Sequence, residues 1–157
     1  MFTKLRYGVL VSVFMPQLVF GLCVTANKAY LRNGPGKSFQ KTWTVGKYTP
    51  LLEVNRKGGW IEVRDQDGET HWVFRTLVSD GDLRCLSVKG EVAALRQGPG
   101  KAYPFSDLQT VDRYTSFKIM DMDEDGNWYY VADTFGQKFW IHRSSVWRPV
   151  RTTSVSF

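Results

Sequence analysis

Few side chains in this sequence are equipped for covalent chemistry. The only histidines are His71 and His142, and the only cysteines are Cys23 and Cys85. A hydrolase needs a nucleophile beside its base, paired carboxylates, or metal ligands at workable spacing. Neither histidine stands in a metal-binding pair, and a catalytic cysteine–histidine site would have to use a cysteine at the boundary of a sequence repeat. The expectation is a protein that is not an enzyme and has no cofactor. One acidic run does match the first six positions of a calcium loop, D-x-D-x-D-G: Asp121-Met122-Asp123-Glu124-Asp125-Gly126. Asp121, Asp123 and Asp125 could converge on a hard cation. The twelfth position, however, is Ala132 instead of a bidentate glutamate. A solvated acidic hairpin is expected there, with a calcium site as the alternative.

Aromatic residues are the remaining candidates, and an internal repeat gives them a frame. Leu31-Arg32-Asn33-Gly34-Pro35-Gly36-Lys37-Ser38-Phe39 recurs as Leu95-Arg96-Gln97-Gly98-Pro99-Gly100-Lys101-Ala102-Tyr103, an offset of 64 (31 to 95). Gly59-Trp60-Ile61-Glu62-Val63 recurs at Asn127-Trp128-Tyr129-Tyr130-Val131, and Trp72-Val73-Phe74-Arg75 at Trp140-Ile141-His142-Arg143, both at an offset of 68 (60 to 128, 72 to 140). The second copy therefore carries four extra residues, expected between Tyr103 and Ile119.

The elements that must position these residues are short strands. The chain has 43% hydrophobic and 15% aromatic residues, with 14 glycines and 6 prolines, which favours packed cores joined by many turns. Leu51–Val54, Trp60–Arg64 and His71–Phe74 read as strands, with 55–59 and Asp65-Gln66-Asp67-Gly68 as the turns between them. Alternation puts Ile61 and Val63 on a core face and Trp60, Glu62 and Arg64 on a wet one. The fold class expected is all-β, in two tandem small barrels over 23–80 and 83–148, with a linker at Asp80-Gly81-Asp82 and a loose tail over 149–157.

At these residues the sequence resembles the bacterial SH3-like domains of exported and envelope-associated proteins. The Leu-Arg-x-Gly-Pro-Gly segment, the Gly-Trp-x-x-Val-Arg strand, the Asp-Gly turn and the Trp-Val strand carry the resemblance through Leu31 to Val73, and Trp43 and Pro50 fall where one subgroup has them. Most of the second copy follows, with Ser106 to Lys118 departing from the pattern. The resemblance implies a small SH3-like barrel that binds, with peptidoglycan as the leading partner. A protein–protein adaptor or accessory subunit for another exported protein is the alternative.

The two copies differ where recognition would lie. Glu62, Asp67 and His71 are replaced by Tyr130, Phe135 and Phe139, at positions expected to face outward. A ligand surface is therefore expected on the second repeat, built from Tyr129, Tyr130, Phe135 and Phe139 with Arg113 and Tyr114 on an extended loop, 106–118, beside them. Packing of the same rings on the first repeat or on Trp147 explains them equally well.

The N-terminus places Lys4 and Arg6 before an uncharged run from Gly8 to Leu22, the pattern of a signal peptide over 1–21. An uncleaved anchor or a buried helix is the alternative. Cleavage after Gly21 would give a periplasmic or secreted protein and lower the formal charge from +6 to +4 by removing those two cations. The remaining charges are interspersed, so no basic stripe suited to nucleic acid is present. Cys23 and Cys85 would both be exported, which favours a disulfide. Two free buried thiols, or lipidation of Cys23, remain as alternatives, the latter opposed by bulky Leu22 immediately before it.

Overall fold

The computed structural model describes residues 21–79 and 81–149, so the signal-segment expectation lies outside the described residues except for Gly21, and that for the tail except for Pro149. Seven strands form the first sheet: β1 Gly21–Val24, β2 Lys28–Arg32, β3 Lys41–Gly46, β4 Pro50–Lys57, β5 Trp60–Arg64, β6 Thr70–Phe74 and β7 Val78–Ser79. Seven more form the second: β8 Cys85–Val88, β9 Val92–Arg96, β10 Phe105–Asp112, β11 Ser116–Met122, β12 Trp128–Ala132, β13 Lys138–His142 and β14 Val146–Trp147. The strand orders, β3-β2-β6-β5-β4-β1-β7 and β10-β9-β13-β12-β11-β8-β14, are the same topology twice. All ladders are antiparallel, and none joins the two end strands of either sheet among the described residues. No helix among them is long and apolar enough to cross a membrane.

Period-two alternation sends one face of each sheet into its own core. Leu22, Leu31, Leu51, Val63 and Val73 are fully buried in the first core, and Leu86, Leu95, Val131 and Ile141 in the second. Each such side chain contributes roughly 1.5–3 kcal/mol by leaving water. The Gly-Pro-Gly loops owe their glycines to close approach: a Cβ on Gly34 or Gly98 would collide with the ring of Phe39 or Tyr103. The repeated arginine fastens the same loop, since Arg32 Nη1 donates to the Phe39 carbonyl (2.7 Å) and Arg96 Nη1 to that of Tyr103 (2.8 Å).

The four extra residues are split between two places instead of lying together before Ile119. Phe105 and Thr110 oppose Arg96 and Ala94, whereas Lys41 and Thr44 oppose Arg32 and Tyr30, so two residues are added in the irregular stretch of β10. Asp123–Trp128 spans the turn that Lys57–Trp60 spans in the first copy, which adds the other two. The 106–118 segment is correspondingly not a loop; β10 and β11 run through it to a tight turn at Arg113–Thr115. Tyr114 there takes a φ of 69°, as its counterpart Tyr48 takes 68°.

The repeats are fastened to each other. Cys23 and Cys85 form a disulfide with a Cα–Cα distance of 5.9 Å. Beside it, Ser87 Oγ donates to Gln66 Oε1 (2.6 Å), Gln66 Nε2 donates to the Val88 carbonyl (3.2 Å), and Trp43 meets Tyr114 edge-on with ring centres 5.1 Å apart. Asp67 accepts from both Arg113 and Tyr114, the latter at 3.0 Å.

Candidate functional site

Cross-strand register aligns the outward side chains of the second sheet into rows, because directly opposed residues share a face. One row reads Phe105, Arg96, Trp140, Tyr130, Asp121 across β10, β9, β13, β12 and β11. The Arg96 guanidinium lies 4.4 Å from the centre of the Phe105 ring, and Tyr130 and Trp140 stack obliquely at 5.0 Å and 30°. These rings belong to no core cluster, and Phe105 is 47% exposed. The matching row of the first sheet is Lys41, Arg32, Trp72, Glu62, Asn55. Two rings and a carboxylate in the second row thus replace a cation, a carboxylate and an amide in the first. Next to it, toward the β12–β13 turn, runs a shorter row of Lys118, Ala132 and Lys138.

The side chains expected to form a recognition surface are distributed over three environments. Tyr130 lies on the open face, and Phe135 stands 91% exposed on the turn between β12 and β13. Tyr129 and Phe139 are core residues at 7% and 6% exposure, Phe139 meeting Phe117 edge-on at 6.2 Å. Strand parity is the reason: Tyr129 occupies the place of buried Ile61, and Phe139 that of His71, which is itself buried and points inward with Val73. The expectation that His71 and Phe139 face outward is corrected accordingly. Arg113 and Tyr114 face the first repeat, where the Tyr114 hydroxyl and the Asp67 carboxylate hold the Arg113 guanidinium above its ordinary pKa by favouring its charged form. Trp140, Arg96 and Phe105 were not singled out as ligand residues, although the two-residue alternation already places Trp140 on the face of Tyr130.

The acidic turn does not gather its carboxylates. Asp123 Oδ1 accepts from the Asn127 and Trp128 amides, both at 2.8 Å, and Asp121 Oδ1 from the Met122 amide. No group of three potential ligands converges among the described residues. A hydrogen-bonded chain missed in the sequence does occur in the first repeat: Thr42 Oγ1 to His71 Nδ1 (2.8 Å) and His71 Nε2 to Asp65 Oδ2 (3.1 Å). The order of groups is that of an acyl-transfer triad, but Asp65 Oδ1 simultaneously accepts from the Asp67 and Glu69 amides and so holds the turn. A cleft of about 130 Å³ opens nearby between the repeats, lined by Trp43, Pro50, Gln66, Ser87 and Tyr114. The Gln66 amide and Ser87 hydroxyl are already bonded to each other.

Residues 25–80 match the family model described as a bacterial SH3 domain. The first repeat is a bacterial SH3 domain. Its SH3 topology recurs strand for strand in the second repeat, which lies outside the matched residues. Among solved structures, NlpC1 from Trichomonas vaginalis is similar at 12% identity and a TM-score of 0.36, over 92% of this chain and 51% of that one. NlpC2 from the same organism is similar at 12% identity and 0.38, over 90% and 52%. An NlpC/P60 family protein from Bacillus cereus is similar at 14% identity and 0.37, over 81% and 55%. This chain therefore spans about half the length of these proteins. A search of curated proteins finds no match.

Proposed function

We propose that this protein is a non-enzymatic binding protein of the bacterial cell envelope that holds peptidoglycan through the open face of its second repeat. The observation that carries the reading is the row Phe105, Arg96, Trp140, Tyr130, where rings and a guanidinium lie side by side on an uncovered sheet face. Flat rings offer much contact area for little lost entropy, and their electron-rich faces attract the C–H groups of a sugar ring. The disulfide between Cys23 and Cys85 fits an oxidising, extracytoplasmic location. The bacterial SH3 domain of the first repeat then serves mainly as a docking wall that fixes the second.

Retention on purified sacculi tests the proposal. Wild-type protein should co-sediment, and a Trp140→Ala/Tyr130→Ser variant with unchanged circular dichroism should remain in the supernatant. Equal retention of that variant would remove the open face from the binding site.

A further inference from the structure

We propose that the open face of the second repeat takes a glycan bearing carboxylates, with Lys118 and Lys138 clamping one carboxylate over Ala132 while Tyr130 and Trp140 stack on the adjoining sugar. This rests on the peptidoglycan reading and narrows it. Lys118 opposes Ala132, and Ala132 opposes Lys138, so all three side chains leave the same face in one row. Ala132 is 7% exposed yet belongs to no core cluster, and its short side chain between two long lysines makes the middle of the row its low point, a notch between two cations. The two lysine Cα atoms stand two strand spacings apart, about 10 Å, a gap that two lysine arms close readily around one anion. Neither lysine is paired with an acidic side chain among the described residues.

The first repeat shows what the notch replaces. Its corresponding row is Leu52, Arg64, Thr70: a long side chain fills the middle and neither flank is charged. Two residues further along β12 and β13, on the same outer face, lie Tyr130 and Trp140, so an anion in the notch has rings on its flank. Asp121, the acid of the ring row, stands at the far end of it, beyond Tyr130 from Trp140. Asp121 lies on β11, the strand that also carries Lys118, so a carboxylate is favoured over the lysine row and disfavoured where the ring row meets β11. Phe135, 91% exposed, stands on the turn that leaves Ala132 and returns to Lys138.

The test compares retention of the intact, disulfide-bonded protein on untreated sacculi and on sacculi whose carboxylates have been amidated, for wild type, Lys118→Gln/Lys138→Gln and Lys118→Arg/Lys138→Arg. Charge-assisted hydrogen bonds of this kind predict about a tenfold weaker apparent affinity of wild type after amidation. The Gln variant should be weaker by a similar factor on untreated sacculi and indifferent to amidation, and the Arg variant should behave as wild type. Equal wild-type binding to both preparations, or a Gln variant as tight as wild type, would overturn the carboxylate clamp while leaving the peptidoglycan reading in place. Failure of wild type to bind untreated sacculi, or tighter binding to vesicles of anionic phospholipid than to sacculi, would overturn that reading itself. Should the double Gln variant not fold, Lys138→Gln alone, at an exposed position, gives the same comparison.

Discussion

The turn over 65–69 in the first repeat and the turn over 133–137 in the second are one local structure with two fates. In each, an aspartate accepts from the amides two and four residues on, Asp65 from Asp67 and Glu69, Asp133 from Phe135 and Gln137, and a glycine follows at φ 86° or 85°. The first turn reaches across to the second repeat through Gln66 and Asp67. The second turn carries Phe135, 91% exposed, in the place of Asp67. A duplicated scaffold has thus assigned equivalent surfaces to different tasks: the first copy spends its polar groups on the joint, and the second keeps rings and lysines in the open.

The largest test of that division concerns His71 and Phe139, which occupy the same inward place. Phe139→Ala should destabilise the second repeat by about 3–5 kcal/mol through the cavity it leaves. His71→Ala should cost the first repeat about 1–3 kcal/mol, because it strips Asp65 and Thr42 of their partner. Urea denaturation measures both. A Phe139→Ala protein as stable as wild type would return that ring to the surface.

Removing the disulfide comes next. Cys23→Ser/Cys85→Ser should lose about 2–4 kcal/mol and uncouple the repeats, so that one melting transition becomes two. A single unchanged transition would mean that the polar joint alone couples them. Two alkylatable thiols in freshly purified wild type would contradict the bridge outright.

The glycine loops should respond alike, since the same ring covers the same glycine in both. Gly34→Val and Gly98→Val should each destabilise their own repeat by roughly 1–3 kcal/mol through overpacking against Phe39 and Tyr103. The φ of neither glycine is positive, so the loss is steric and not conformational. Gly34→Ala already carries the colliding Cβ and should therefore show a loss in the same direction.

A smaller change converts the second face toward the first. Tyr130→Glu restores the residue type of Glu62 and should weaken retention on sacculi about tenfold, roughly 1.4 kcal/mol, with stability unchanged. Glu62→Tyr should not create a second site, because Lys41 stands where Phe105 would be needed and Arg64 fills the middle of the neighbouring row.

The repeat, the core parity of β5 and the pairing of the cysteines were legible because each depends on local period or on a count. Ile61 and Val63 alternate with polar neighbours, which fixes their face. Tyr129 and Phe139 depart from the expected surface because parity outweighs the change to an aromatic side chain: both follow buried positions of the first copy, Ile61 and His71, at an offset of 68. The split insertion could not be read, since the offset jumps from 64 to 68 without a matched segment in between. The roles of Gln66, Asp67, Arg113 and Tyr114 depend on how two units with separate cores meet, and no period in the sequence encodes that meeting.

The smallest expected effect is at Asp67, and it separates holding the repeats together from setting their angle. Asp67→Ala removes the acceptor shared by Arg113 and Tyr114 but leaves the disulfide, the Gln66 bonds to Ser87 and Val88, and the Arg113 Nη1 bond to the Lys89 carbonyl at 2.7 Å. An exposed ion pair is screened by water and salt, so the melting temperature should scarcely move. What the pair does supply is a direction, because two donors from adjacent residues converge on the two oxygens of one carboxylate. Residual dipolar couplings should therefore fit a single alignment tensor for both repeats in wild type and require two in the variant. Raising the salt concentration on wild type should move it toward the same behaviour. A variant whose couplings still fit one tensor would assign the angle to Gln66 and the disulfide, and the first repeat would then orient the open face without its acidic turn.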